Sequence, residues 1–173
     1  PAIGEVVPDF TLPDGQGQEH AIADYRGQYV VLEWLNYGCP FVKKHYETGN
    51  MQALQEEFTG KGVQWMAVVS SAPGRQGYYE PDEMLQVSEE QGSKASAVLL
   101  DPSGQVGRMY RAQTTPHMMV IDPEGRLLYN GAIDDQRSSR ASTVEGAHNY
   151  VAAALNESMA GNEVTVPLTP PYG

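Results

Sequence analysis

The chain contains one cysteine in 173 residues, so no disulfide can form within it. Any disulfide must join Cys39 to another molecule, and cysteine usage therefore gives no indication of the redox compartment. Two interpretations of Cys39 stay open at this point. It is either a reactive nucleophile or a small apolar side chain that happens to contain sulfur.

Basic side chains are also scarce, since 11 Lys and Arg stand against 22 Asp and Glu and give a net charge of −11. A surface of that sign repels phosphate backbones and anionic membrane surfaces, so we expect no nucleic-acid partner. No apolar run approaches the roughly 20 residues that cross a bilayer. The sequence therefore does not predict an integral membrane protein.

The first residue is Pro1 rather than Met. This start suits a mature chain from which a signal peptide has been removed, which favours an extracytoplasmic location, periplasmic or secreted. A chain trimmed for expression would begin in the same way.

Apolar runs alternate with helical patterns along the chain, and turn-rich segments separate them. After an N-terminal hairpin around residues 14–17, the predicted strands are residues 29–36, 63–70, 97–101, 117–121 and 127–129. Helices are predicted from Pro40 with an interruption at Gly49, from Pro81, near residues 106–110, and from a capping box formed by Ser142 and Glu145. The pattern predicts one α/β domain over residues 1–173, with a central mixed sheet, helices on both faces and an extended Pro-rich tail at 164–173.

The position of Cys39 favours the reactive interpretation. On residue type alone a free cysteine is usually a buried hydrophobe. Cys39, however, follows a predicted strand and directly precedes Pro40 at a predicted helix start, where unpaired N–H groups point at the sulfur. Such a helix terminus favours an anion by roughly 0.3–1 kcal/mol. Lys43 and Lys44 either add to this effect or are ordinary solvated charges.

Two segments carry a family resemblance. The stretch VVLEWLNYGCPFVKK resembles the active-site strand and helix of the thioredoxin superfamily, and TTPHMMVIDPEGRLLYNGAIDD resembles its later segment, in which a cis-proline precedes a strand. Together with PDFTLPDGQG, they make nearly the whole chain similar to the redoxin branch of peroxiredoxin-like and thioredoxin-like proteins. The resemblance implies a thioredoxin-like fold and a thiol-dependent, antioxidant or redox oxidoreductase without a cofactor.

The resemblance also implies a set of site residues. Cys39 matches the nucleophilic first cysteine of the Cys-x-x-Cys motif, whereas Val42 stands where the second cysteine would be. Glu33 matches the buried carboxylate that thioredoxins use in proton transfer. Pro116 matches the cis-proline, and Thr115 matches the residue whose backbone meets substrate chains.

The chain departs from the peroxiredoxin pattern. The Pro and Thr of the Pro-x-x-x-Thr-x-x-Cys motif are replaced by Leu32 and Asn36, and the peroxide-binding arginine aligns with Pro116. Asn36 can still donate a hydrogen bond to a thiolate or a peroxide oxygen. Arg108 and Arg111 are the other candidates for reaching the site. The substrate, either a protein disulfide or a small peroxide, therefore stays open.

Because Val42 supplies no thiol, either an external thiol or a C-terminal thiol must regenerate Cys39. Some proteins that resemble this chain continue past a sequence like PPYG into a further cysteine, which would be a C-terminal resolving thiol. The alternative function is a catalytically silent module that binds an extended peptide or a soft metal. The residues considered for a copper site are Cys39, His45, Met51, His117 and Met118.

Overall fold

Five apolar segments form one mixed sheet, and a separate two-stranded hairpin precedes it. The computed structural model describes all 173 residues. Its strands are β1 (Thr11–Pro13), β2 (Glu19–Ala21), β3 (Val30–Trp34), β4 (Gln64–Val69), β5 (Ala97–Leu100), β6 (His117–Ile121) and β7 (Leu127–Gly131). Its helices are α1 (Pro40–Glu47), α2 (Asn50–Thr59), α3 (Pro81–Glu90), α4 (Gln105–Met109) and α5 (Tyr150–Met159). None of these helices is long and apolar enough to cross a membrane.

The sheet has the order β5-β4-β3-β6-β7, with β3 at its centre. Strand β3 runs parallel to β4 and antiparallel to β6, so the sheet is mixed. All five residues of β3 are buried, because both of its faces are covered. The predicted α/β class, with helices on both faces and an N-terminal hairpin, is confirmed.

The two faces of the sheet lie against separate hydrophobic cores. Alternation along β3 sends Val31 into a core of 22 buried residues built with α1, α2, α3 and α5. The neighbouring Leu32 enters a second core of 15 residues, built with α4 and the N-terminal hairpin. Burial of each such side chain contributes about 1.5–3 kcal/mol. The sheet therefore holds the carboxyl end of β3 in a fixed position.

The predicted interruption at Gly49 is confirmed. Gly49 caps α2 with φ at +76°, a left-handed conformation that glycine adopts without steric cost, so α1 and α2 are separate helices. Asn50 is the first residue of α2, so the cap is the glycine and not the polar side chain that follows it.

The predicted start of the last helix at Ser142 is wrong. Residues 141–143 form a single 3-10 turn, and α5 begins at Tyr150, where the Asn149 Oδ1 accepts a hydrogen bond from the Ala152 N–H at 2.9 Å. Gly146 has φ at +79°, which interrupts a helix started at Ser142 after one turn. The asparagine cap therefore replaces the capping box.

The tail at 164–173 contains no helix, and it runs along the outer edge of the sheet. Asn130 in β7 donates its N–H to the Pro167 carbonyl and accepts from the Thr169 N–H at 3.1 Å. Gly131 packs so closely on Thr169 that a Cβ at this position would overlap the threonine hydroxyl. The tail thereby covers the free edge of β7.

The larger core predicts a clear contrast in stability. Phe58 in α2 is fully buried in it, whereas Met109 in α4 is 39% exposed. We expect Phe58→Ala to lower the free energy of unfolding by about 3–5 kcal/mol and Met109→Ala to lower it by less than about 1 kcal/mol. Urea unfolding measures both values. Equal losses would contradict the assignment of Phe58 to the core.

Candidate active site

Cys39 caps the N-terminus of α1, directly after the turn that follows β3. It has the extended φ and ψ of an N-cap, Pro40 is the first helical residue, and the side chain is half-buried. The Cys39 carbonyl accepts the N–H groups of Val42 and Lys43 at 3.0 and 2.9 Å. Val42, in the place of a second cysteine, is fully buried in the larger core. Cys39 thus lies at the N-terminus of a helix, as the sequence predicted.

The strand order brings a second chain segment to Cys39. The peptide bond between Thr115 and Pro116 is cis, and it lies immediately before β6. The Cys39 Sγ–H donates a hydrogen bond to the Thr115 carbonyl oxygen at 3.3 Å. Three of the candidate residues, Cys39, Thr115 and Pro116, are therefore neighbours at one edge of the sheet.

Asn36 holds the turn that presents Cys39. Its Oδ1 accepts the Gly38 N–H at 2.8 Å, and its backbone carbonyl accepts the Cys39 N–H at 2.9 Å. Its Nδ2 donates to the carbonyl and the side-chain oxygen of Gln76 at 3.3 and 3.2 Å. The amide that we expected to serve a thiolate or peroxide thus binds the loop after β4 in this structure.

Glu33 lies in the core below the site, and it is fully buried. Its Oε1 accepts from the Trp65 Nε1–H at 2.8 Å and the Gln55 Nε2–H at 3.0 Å. Its Oε2 accepts from the Tyr46 hydroxyl at 2.7 Å, and no cation pairs with it. Burial raises the pKa of Glu33 to about 7, although the three hydrogen bonds oppose that shift. The carboxyl can therefore titrate near neutral pH, but no hydrogen bond joins it to Cys39.

Lys44 neither faces Cys39 nor lies in solvent. It is 2% exposed, and its Nζ donates to the carbonyls of Gln136 and Ser138 at 2.9 and 2.8 Å. The ammonium group thereby fixes the loop after β7 onto α1. The neighbouring Lys43 is exposed.

A buried hydrogen-bond chain, absent from the sequence predictions, continues from α1 to the tail. Burial lowers the pKa of His45 to about 4, so its ring is neutral at neutral pH. The Asn50 Nδ2 lies 2.9 Å from His45 Nδ1, and His45 Nε2 lies 3.1 Å from the Tyr172 hydroxyl. That hydroxyl donates to the Asp134 Oδ1 at 2.6 Å. The sequence signal for this chain of bonds was Tyr172, because an aromatic residue in a Pro-rich tail indicates a point at which the tail packs on the domain.

The residues considered for a copper site have other roles. The His117 Nδ1 accepts a hydrogen bond from the Gln113 N–H, and the His117 Nε2 lies 2.6 Å from the Asn130 Oδ1. Met51 and Met118 are fully buried in the larger core. The structure contains no group of three or more His, Cys, Asp or Glu side chains that could hold a metal ion.

A cavity of about 520 Å³ opens next to Asn36 and Thr115, and Cys39 is not among the residues that line it. Its wall includes Asn36, Thr115, Arg108 and the last residue, Gly173. Of the two arginines considered, Arg108 reaches this cavity, with its Nη1 donating to the Ser103 carbonyl at 3.1 Å. Arg111 lines a different cavity, next to the tail.

Comparisons with known proteins agree with this geometry. The profile of the AhpC/TSA family matches residues 3–130. The thiol-disulfide oxidoreductase ResA of Geobacillus thermodenitrificans is 28% identical over 126 residues, which are 73% of this chain and 67% of that protein.

Solved structures show the same fold. The crystal structure of an uncharacterized conserved protein from Geobacillus kaustophilus has a TM-score of 0.82 at 25% identity, over 96% of this chain and 88% of that one. The thioredoxin domain of a thiol-disulfide oxidoreductase from Bacteroides vulgatus has a TM-score of 0.58 at 25% identity, over 84% of this chain and 96% of that one. The predicted thioredoxin-like fold is confirmed.

The buried carboxyl of Glu33 predicts a pH-dependent stability. Its folded-state pKa of about 7 lies above the ordinary 4.5, so the unfolded chain ionises first as the pH rises. The free energy of unfolding is therefore highest, as far as Glu33 is concerned, below about pH 4.5. It falls by roughly 3 kcal/mol as the pH rises from about 4.5 to about 7. We expect Glu33→Gln to remove this loss, as measured by urea unfolding across that pH range.

The matched control is Glu56→Gln in α2, because Glu56 is exposed. This variant should keep the pH dependence of the unchanged protein. If the free energy of unfolding changes with pH equally in the unchanged protein and in Glu33→Gln, the pKa of Glu33 is not raised.

Proposed function

The chain belongs to the AhpC/TSA family and is an oxidoreductase of the thioredoxin fold, and from this premise we propose that Cys39 carries out thiol–disulfide exchange. The observation that supports the proposal most directly is the position of the Cys39 sulfur. It is half-buried at a helix N-terminus and 3.3 Å from the carbonyl of Thr115, next to Pro116. The thiol-disulfide oxidoreductase named among the relatives supports the same reaction.

The reaction uses one protein thiol. The Cys39 thiolate attacks a substrate disulfide, an S–S bond forms to Cys39, and the other substrate sulfur leaves as a thiolate that takes a proton. An external thiol then attacks the mixed disulfide and restores Cys39, because Val42 offers no second sulfur. Protein disulfides or thiols are the proposed substrates.

Thr115 is proposed to bind the substrate backbone. In the thiol form its carbonyl accepts from the Cys39 Sγ–H. A thiolate has no proton to donate, so ionisation frees this carbonyl to accept an N–H from an extended substrate chain. The same step that activates the sulfur thereby prepares the position for a substrate.

Asn36 and Glu33 are proposed as supporting residues. Asn36 binds Gly38 and fixes the turn before Cys39, so we assign it a positioning role. Glu33 can hold or release a proton near neutral pH, because burial raises its pKa to about 7. Proton transfer from Cys39 must pass through an intervening group or a water, since the two side chains share no hydrogen bond.

Peroxide reduction is the second candidate, and membership of the AhpC/TSA family favours it. The Cys39 thiolate would attack one peroxide oxygen, giving a sulfenic acid and an alcohol or water after proton transfer. The cavity that includes Asn36 and Arg108 has room for a small peroxide. An external thiol is again the reductant, and an extracytoplasmic location stays the expectation from the sequence.

Substitution of the nucleophile tests the main proposal. We expect the unchanged protein to form a 1:1 mixed disulfide with a peptide disulfide, and Cys39→Ser to form none, as measured by mass spectrometry. Urea unfolding should show that Cys39→Ser remains folded. If Cys39 of the unchanged protein reacts no faster than free cysteine at the same pH, a catalytically silent module is favoured instead.

Trapping of the sulfenic acid separates the two substrates. Rapid peroxide reduction needs donors aimed at the reacting oxygen, and the Asn36 amide is bound to Gln76. We therefore expect sulfenic acid, trapped with dimedone, to form more slowly with hydrogen peroxide than the mixed disulfide forms at equal concentration. A peroxide reaction faster than disulfide exchange by about a hundredfold would assign the protein to peroxide reduction.

A further inference from the structure

The last six residues of this chain, 168–173, lie along the edge of the sheet and reach the candidate active site; we name them the strap. Gly173 packs on Thr115 so closely that a Cβ at this glycine would overlap the Thr115 carbonyl oxygen and lie 3.0 Å from its backbone nitrogen. Gly173 also forms part of the cavity wall beside Asn36. The strap thus lies against the backbone of Thr115, to which the proposed function assigns an extended substrate, and we call this position the substrate groove.

One side chain anchors the end of the strap. Tyr172 is 4% exposed, while the other residues of the strap are exposed or half-buried. Its hydroxyl takes part in the bonds with Asp134 and His45, and its ring packs edge-to-face on Phe41 with 5.8 Å between centroids. Phe41 is two residues from Cys39, so the anchor lies beside the nucleophile.

Hydrogen bonds to backbone and side-chain groups hold the rest of the strap. Arg137 donates to the carbonyls of Pro170 and Pro171 at 2.9 and 3.4 Å, and Thr169 pairs with Asn130 at 3.1 Å. These bonds lie near the surface, where each contributes modestly to stability. The Thr169 hydroxyl also binds the Ala132 N–H at 2.9 Å and the hydroxyl of buried Tyr129. Release of the strap therefore requires the Tyr172 side chain to leave its pocket and the bonds of Thr169 to open.

We propose that the strap is an intramolecular occupant of the substrate groove, and the proposal rests on the function assigned to Cys39. While it is docked, Gly173 blocks an extended chain from pairing with Thr115. The half-buried sulfur remains open to small disulfides and peroxides in the same state. Undocking of the strap then admits protein disulfides, so the strap selects the class of substrate.

Two changes release the strap without altering Cys39, Thr115 or Pro116. Tyr172→Phe removes the buried hydroxyl, and Arg137→Ala removes the donors to Pro170 and Pro171. The matched control is Tyr29→Phe, which removes a hydroxyl bonded to Ser158 at 2.9 Å, on α5. Hydrogen exchange should show faster amide exchange in the strap of the double variant and no change there in the control.

The test compares two probes with the same leaving group, which are 4,4′-dithiodipyridine and an extended synthetic peptide whose cysteine carries thiopyridine. We expect the double variant Tyr172→Phe/Arg137→Ala to react with the peptide roughly tenfold faster than the unchanged protein, because its groove is open for a larger fraction of the time. The rates with the small disulfide should agree within about twofold, since that probe does not need Thr115.

The outcomes separate the strap from the proposed function. If the protein reacts with the small disulfide but the double variant reacts with the peptide no faster than the unchanged protein, the proposed role of the strap is wrong. The proposed function of Cys39 would stand in that case. A protein that reacts with neither probe would overturn the role of Cys39 and the strap with it. Unchanged hydrogen exchange in the double variant would contradict the anchor assigned to Tyr172 and Arg137.

Discussion

The antiparallel pairing of β3 with β6 is the constraint on which the site depends. Its register places Trp34 opposite His117, so the residues after β3 and those before β6 meet at the same edge of the sheet. Cys39 and Thr115 are 76 positions apart in the chain, and this pairing brings them within 3.3 Å. Because both strands are fully buried, the sheet cannot shift its register without exposing core side chains.

Much of the fold follows from local sequence signals. Continuous apolar runs identified the central strands, since strands covered on both faces lack polar alternation. Pro40 marked the start of α1, and Gly49 marked its end. The signal at Ser142 failed because a capping box is a local preference, and Gly146 together with the Asn149 cap moved the helix start downstream. Tertiary context decided that case.

The site was only partly readable from sequence. The resemblance matched Glu33 to a buried carboxylate, but the residues that donate hydrogen bonds to it come from α1, α2 and β4 and could not be identified from the strand alone. Asn36 was identified as a donor, but its partner Gln76 lies 40 residues further on. The bonds of Lys44 with the loop after β7 depend on tertiary packing in the same way. Local patterns find such polar residues, and only the folded chain shows what they bind.

The fully buried Val42 has one more consequence for the chemistry of Cys39. A protein with two neighbouring thiols ends each covalent adduct by itself, within its own structure. Here a hydrocarbon side chain occupies that place, so in the proposed reaction an adduct on Cys39 would last until a thiol from elsewhere attacks it. The fraction of molecules carrying such an adduct would therefore follow the reducing power of the medium.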